Sequence, residues 1–96
     1  MERDIVESSV VRSAGFEVCT FNVHNGRLAQ MGTMEIEFHN GNVVRYHNVP
    51  RYQYTQIRIS QSIGSALARF VKSSGCRYEG IAGPSYDKGV AHVSVR

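Results

Sequence analysis

The chain has 96 residues and a mass of 10.7 kDa, the size of one domain with one modest core. Hydrophobic residues make up 42% and charged residues 20%, which excludes wholesale disorder, and no run reaches the ~20 apolar residues of a membrane span. Because the opening segment Met1-Glu2-Arg3-Asp4 is charged with no apolar run behind it, we expect no secretory signal and a cytoplasmic location.

The net charge of +3 is distributed unevenly along the chain. Positions 1–37 hold six acids against three arginines, a balance of −3, whereas positions 38–78 hold no acid and six cations. Such an asymmetry indicates an anionic partner. The alternative is that these cations balance the acids of the first third across the fold. The six cations are Arg45, Arg51, Arg58, Arg69, Lys72 and Arg77.

The first third of the chain predicts strands and a loop. Residues 8–13 and 16–23 are expected to form two separate strands, the second with alternating apolar side chains. Residues 24–32 contain Asn25-Gly26 and Gly32, which predicts a long surface loop.

A hairpin is predicted in the middle of the chain. Residues 33–38 alternate apolar and polar side chains, and a second strand is expected over residues 43–49. A three-residue loop, with Gly41 in the left-handed conformation, pairs Ile36 with Val44 and Glu35 with Arg45. The same register pairs Phe38 with Asn42 and Met34 with Tyr46. We prefer it to a two-residue Asn40-Gly41 turn, which would place Arg45 and His47 on the apolar face.

Two helices are predicted in the C-terminal half. The spacing of Ile63, Ala66, Leu67, Phe70 and Val71 indicates an amphipathic helix, with Ser62 to cap its start and Gly75 to end it. Residues 51–60 fit both a strand alternation and a helical stripe, and Pro50 suits the first turn of a helix.

The remaining segment is glycine-rich. Residues 80–89 are expected to form a loop, and residues 90–96 a last strand that covers an edge. Cys19 and Cys76 belong to no CxxC motif and are expected to be free thiols. The whole pattern predicts an α+β domain spanning residues 1–96, with a small antiparallel sheet of three to five strands and two helices in the C-terminal half.

The chain resembles the KTSC family, short domains that are named after the C-terminus of some lysyl-tRNA synthetases and also occur as free-standing small proteins. Residues 8–17 resemble its opening pattern of a serine pair, an aliphatic residue and Gly-aromatic-acid. The resemblance covers about residues 8–72. Later positions that follow the family pattern are Phe38, Gly41, Tyr46, Val49, Pro50, Tyr54, Ile57, Ser60, Ser62 and Gly64.

The resemblance implies the fold and, because RNA binding has been suggested for the family, a nucleic-acid partner. The chain departs from the family pattern at Val44, where a tyrosine is usual, and at residues 66–68, where an aromatic pair and an asparagine are usual. The loop after Phe16 is expected to be longer than in the family. Residues 73–96 are expected to form an extra C-terminal loop with a last strand, and the part past Cys76 has no evident counterpart.

The sequence does not suggest an enzyme or a cofactor. It contains no GxSxG, HExxH or GxxxxGK[ST] motif. Its histidines, at positions 24, 39, 47 and 92, stand in four different segments, so we expect no metal site. His47 is expected to point outward near Thr33 as a solvated imidazole, and Ser8 and Ser9 are expected to make turn or capping hydrogen bonds.

Arginines next to aromatic residues suggest single-stranded RNA or DNA binding, because cations neutralise phosphates and rings stack on bases. Tyr46 and Phe70 are assigned to the core, and Arg45 has Glu35 as a cross-strand partner. The alternative is a protein-interaction module, such as an adaptor or an inhibitor encoded by a phage or another mobile element, acting through the basic helical side or an open strand edge. The candidate nucleic-acid-binding residues are Arg51, Tyr52, Arg58, Arg69, Lys72, Arg77 and Tyr78.

Overall fold

The computed structural model describes residues 1–24 and 26–84. Over these residues the fold is a five-stranded antiparallel sheet in the order β1-β2-β3-β4-β5, with two helices between the last two strands, as the α+β prediction expects. The elements are β1 (Asp4–Ile5), β2 (Val11–His24), β3 (Arg27–Phe38), β4 (Val43–Pro50), α1 (Arg51–Ile59), α2 (Ile63–Ser74) and β5 (Tyr78–Ala82).

The β3–β4 hairpin has the predicted register. Ile36 pairs with Val44, and Glu35 with Arg45. The Phe38 N–H donates to the Asn42 carbonyl at 2.8 Å, which closes a three-residue loop. Gly41 has φ +94°, a conformation that glycine adopts without steric cost, so the loop chemistry and the apolar pattern select the same pairing.

The first third of the chain differs from the prediction. Residues 11–24 form one continuous strand instead of two, and residues 27–32 belong to β3 instead of a loop. Pairing runs on to His24 opposite Arg27, so only two positions connect β2 to β3. Gly32 lies within β3, and the position requires a glycine because a Cβ there would come within 2.1 Å of the Glu17 carbonyl oxygen of β2. This glycine therefore allows a close approach of two strands and does not mark a loop.

Helix α2 begins and ends at the residues that the sequence indicates. Helix α2 is capped by Ser62, whose side chain accepts from the Ser65 N–H, and it ends at Gly75 in the left-handed conformation. Residues 51–59 are helical, which resolves the ambiguity left by the sequence, and Pro50 is the N-cap residue. In the described part of the chain, neither helix is long and apolar enough to cross a membrane.

The glycine-rich segment after α2 begins as a strand. Residues 80–82 belong to β5, which pairs with β4 and places Glu79 opposite Arg45, so the predicted loop is wrong there. The pairing with β4 supplies hydrogen-bond partners that the local composition does not reveal. The rest of the predicted loop, residues 85–89, and the predicted last strand, residues 90–96, lie outside the described residues.

The core lies between one face of the sheet and the two helices. Its buried side chains alternate along the central strands, as the period-two pattern predicts, and α2 covers them with its apolar stripe. The largest side chains in it with less than 2% exposure are Met34, Ile36, Val11 and Val49. Helices α1 and α2 contribute Ile57, Ile63, Leu67 and Phe70.

The opposite face of the sheet carries a buried charge. Glu35 is only 3% exposed and forms ion pairs with Arg3 and, at 2.9 Å, with Arg45. The Arg3 Nε also donates to the Ser13 hydroxyl at 3.0 Å. A buried carboxylate is tolerated only where cations and hydrogen bonds compensate it, so Arg3 holds the N-terminal segment against the sheet.

We expect Glu35→Gln to lower the free energy of unfolding by about 1.5–3 kcal/mol, because it removes charge-assisted hydrogen bonds from a buried site. The matched control is Glu37→Gln, since Glu37 is more exposed and its contact with Arg3 is 3.9 Å. Glu37 also accepts from the Ser13 hydroxyl at 2.8 Å, a hydrogen bond that the Gln side-chain oxygen can still accept. This change should cost less than about 1 kcal/mol. Urea unfolding of both variants measures the difference, and equal losses would contradict the role given to Glu35.

Candidate nucleic-acid interface

Two of the candidate cations lie on the face of α1 that is turned toward the N-terminal segment. Arg51 and Arg58 are seven residues apart on this helix and line one groove together, as helical spacing predicts. The same groove is lined by Glu2, Asp4 and Glu17. These two arginines therefore face acidic residues from the first third of the chain.

The two arginines differ in their contacts: Arg58 makes an ion pair within the fold, whereas Arg51 makes a ring contact and, among the described residues, no ion pair. Arg58 donates to the Tyr54 hydroxyl at 2.8 Å and to the Asp4 carboxylate at 3.4 Å. The hydrogen bond to Tyr54 is the main cause of the raised pKa of Arg58, and Asp4 adds to it. The Arg51 guanidinium lies 5.9 Å from the centroid of the Phe16 ring. For Arg58 the structure supports the alternative drawn from the charge distribution, namely compensation across the fold.

The other three cations lie away from the N-terminal segment, two on α2 and one directly before β5. Arg69 and Lys72, one turn apart on α2, line a groove between the two helices of about 710 Å³. We call it the helical groove; its lining is Gln53, Gln56, Ile57, Ser60, Ala66, Arg69, Phe70, Lys72 and Ser73. Arg77 lines a second groove, which shares Gln53, Phe70 and Ser73 with the first. The two grooves adjoin, so the three cations border one continuous depression.

These three cations are uncompensated. Arg69, Lys72 and Arg77 are exposed, and among the described residues none of them makes an ion pair. Within the same residues, no Asp or Glu lines either groove. The remaining polar lining consists of amides, hydroxyls and the imidazole of His47. The depression is therefore a positively charged surface that offers hydrogen-bond donors.

The two candidate tyrosines lie outside the helical groove. Tyr52 is 40% exposed and lines a separate groove with Leu28 and Arg51. Tyr78 is half-buried, and its ring is stacked on Tyr46 with centroids 5.4 Å apart. The structure thus brings Arg69, Lys72 and Arg77 to two adjoining grooves, and Tyr78 lines a further groove with Lys72. It places Arg51, Arg58 and Tyr52 elsewhere. Gln53, Gln56 and Ser60, which join the cations, carry no distinguishing signal in the sequence.

A comparison with family models identifies the domain. The model of the KTSC domain matches residues 29–78, which are 50 of the 96 residues. The chain belongs to the KTSC family. No curated protein matches the chain.

The KTSC match covers the β3–β4 hairpin, both helices and the first residue of β5, and it includes all five candidate cations. Of the residues that depart from the family pattern, Ala66 lines the helical groove. The lengthened stretch after Phe16, expected as a loop, is the two-stranded extension of β2 and β3. The match begins at Ala29, within that extension.

Two histidines of this KTSC domain, His39 and His47, are held by hydrogen bonds. The Nε2 of His47 lies 2.8 Å from the Glu79 carboxylate, so the expectation of a solvated imidazole is wrong. The cause is β5, which the sequence did not reveal and which brings Glu79 beside β4. His39 contacts the Ser8 carbonyl oxygen at 2.8 Å. Ser8 accepts hydrogen bonds from two backbone N–H groups at 3.1 Å, as the turn prediction expects.

Both cysteines of the domain are free thiols with different surroundings. Cys19 is exposed, whereas Cys76 is partly buried and donates to the His47 carbonyl oxygen at 3.2 Å. Burial raises the pKa of the Cys76 thiol, which disfavours the thiolate. Cys76 therefore has the character of a packing residue and not of a nucleophile.

We expect iodoacetamide to alkylate Cys19 several-fold faster than Cys76 at pH 8, because burial keeps Cys76 protonated and shielded. The difference between the two alkylation rates should become smaller as the pH rises, since the raised pKa of Cys76 moves its ionisation to higher pH. Peptide mapping by mass spectrometry measures both rates, with Cys19→Ser and Cys76→Ser as controls. Equal rates at pH 8 would contradict this assignment.

Proposed function

We propose that this KTSC domain binds the sugar-phosphate backbone of single-stranded RNA or DNA along the helical groove. The observation that carries the proposal is that Arg69, Lys72 and Arg77 border two adjoining grooves whose lining, among the described residues, contains no Asp or Glu. Arginine and lysine in such a setting attract phosphates, and arginine can also contact two phosphate oxygens at once.

The lining of the groove suits a flexible polyanion. Gln53, Gln56 and Ser60 on or beside α1 offer amide and hydroxyl donors opposite the cations of α2. These groups can donate to phosphate or sugar oxygens, which contributes affinity without reading the bases. A concave channel between two helices accommodates one extended strand, and this favours single-stranded nucleic acid over a duplex.

The proposed site discriminates little between base sequences. Tyr78 lines a further groove with Lys72, but its ring is stacked on Tyr46. Tyr52 lines a separate groove, so neither ring lines the helical groove as a platform for bases. We therefore assign the contact to Arg69, Lys72 and Arg77, and leave Arg51 and Arg58 to the acidic N-terminal segment.

Salt dependence tests whether phosphates dominate the binding. Three phosphate contacts correspond to a slope of about −2 in log K against log salt for a single strand, or roughly a 20-fold loss of affinity between about 50 and about 200 mM salt. The affinity at each salt concentration is measured by fluorescence anisotropy of labelled oligouridylate and oligothymidylate. Absence of binding to both at the lower salt concentration would contradict the proposal.

Charge reversal tests the location of the site. Arg69→Glu with Lys72→Glu should weaken oligouridylate binding by more than tenfold, because two contacts become repulsive. The matched control is Arg12→Glu with Arg51→Glu, which changes the net charge equally at exposed positions outside the groove. If both double variants lose affinity to the same extent, the binding follows net charge and not this groove.

A protein-interaction module is the second candidate function. The extension of β2 and β3 exposes large apolar side chains, including Val23 at 68% and Leu28 at 75%. Exposed apolar clusters of this kind mark protein-contact surfaces. An adaptor or inhibitor role would use this surface instead of the helical groove.

A further inference from the structure

The outer edge of β2 is open along most of its length. In the described part of the chain, β1 pairs with β2 only at Ser13 and Ala14. A register shift between Val18 and Thr20 bends the strand, so the regular part of the open edge is residues 20–24. On this edge the Val23 N–H donates to the Asn22 side-chain oxygen at 2.9 Å, and the Phe21 carbonyl oxygen accepts from the Thr20 hydroxyl at 3.4 Å. Both contacts are local and exposed, so a second strand can replace them with hydrogen bonds of its own.

One face of this open ribbon is apolar. Phe21 pairs with Gln30 and Val23 with Leu28, so these side chains share a face of the ribbon. Phe21 is 59% exposed, and Val23 and Leu28 are more exposed still. A strand edge flanked by exposed apolar side chains matches the chemistry of a β-strand partner that carries apolar side chains of its own.

We propose that the occupant of this edge is a second copy of the chain, with the two β2 strands paired antiparallel about a twofold axis near Asn22. In this arrangement residues 20–24 of one copy pair with residues 24–20 of the other. Phe21 of each copy then lies opposite Val23 of the other. Aromatic and β-branched residues form favourable cross-strand pairs, and the twofold axis repeats this pair. The apolar faces of the two ribbons then become one continuous surface.

The charges at the two ends of the edge favour a second copy in this orientation. Glu17 lies at one end of the open edge, and Arg27, paired with His24, lies at the other. Both are exposed and, by strand alternation, on the same face of the sheet. An antiparallel copy brings Glu17 of each chain toward Arg27 of the other, whereas a parallel copy would bring the two Glu17 carboxylates together.

Symmetry limits the assembly to a dimer. An isologous contact uses the same edge of both copies, so pairing consumes both open edges and closes the assembly. The dimer is independent of the nucleic-acid proposal, because the helical groove is formed by α1 and α2 and none of its lining lies on β2.

Solution mass is the first test. Sedimentation velocity or light scattering of the full chain over a range of concentrations should give twice 10.7 kDa at the upper end. Val23→Lys should raise the dissociation constant at least tenfold, because it places a charge in the proposed contact. Ile59→Lys, at an equally exposed apolar position on α1, should leave it unchanged. Circular dichroism confirms that both variants fold.

Charge exchange tests the orientation. Glu17→Arg alone and Arg27→Glu alone should each weaken the dimer, and the double variant should recover the affinity. Failure of the double variant to recover would overturn the antiparallel arrangement.

Cross-linking tests the axis directly. In a Cys19→Ser, Cys76→Ser background, Asn22→Cys should give dimers with a short bismaleimide, whereas Gln56→Cys should not. A monomer at all concentrations would overturn the proposal. The proposal would also be overturned by a dimer that does not cross-link through Asn22→Cys, or by one whose dissociation constant is unchanged in Val23→Lys. Either result would indicate association through another surface.

Discussion

The register of the β3–β4 hairpin is the constraint on which the rest of the domain depends. Pairing Glu35 with Arg45 places the charged side chains on the outer face and the apolar ones under the helices. A shift of one residue would exchange these faces and bury an uncompensated charge. Because β4 ends at Pro50 and α1 begins at Arg51, the same register also fixes where α1 starts. The position of the helical groove therefore follows from the hairpin.

Helix α1 separates the cations of the second half into two groups with different surroundings. On the face of α1 toward the N-terminal segment, Arg58 pairs with Asp4 and Arg51 lies in the same acid-lined groove, so the net charge alone overstates the available positive surface. On its other side, Arg69 and Lys72 lie on α2 with no described acid in the groove. Compensation across the fold thus applies to Arg58, whereas Arg69 and Lys72 make no ion pair among the described residues and are the cations that we propose for an anionic partner.

Local signals predicted the elements that depend on local chemistry. The hairpin at Gly41 and the caps of α2 follow from turn conformation, capping and periodicity, which the sequence shows directly. The elements that the sequence missed depend on partners far along the chain. Strand β5 forms because β4 offers it an edge, and Gly32 allows a close approach to β2 that resembles a loop signal in the sequence.

The composition of the candidate site was predicted less fully than the fold. The sequence identified all the cations, but it could not show which of them meet an acid, because Asp4 reaches Arg58 only through the folding of the N-terminal segment onto the sheet. It also assigned Tyr78 to the surface, whereas the pairing of β5 stacks this ring on Tyr46. Tertiary pairing, and not residue type, decides which side chains remain available to a ligand.

The central claim is that the cations of α2 and Arg77 form a phosphate-binding surface. The most direct measurement is a titration of the ¹⁵N-labelled protein with a short oligouridylate of about ten nucleotides at low salt, followed by amide chemical shifts. We expect the largest changes in the helical groove and the groove that adjoins it, at Gln53, Arg69, Lys72 and Arg77. Changes confined to the groove beside Asp4 and Arg58, or no changes at all, would contradict it.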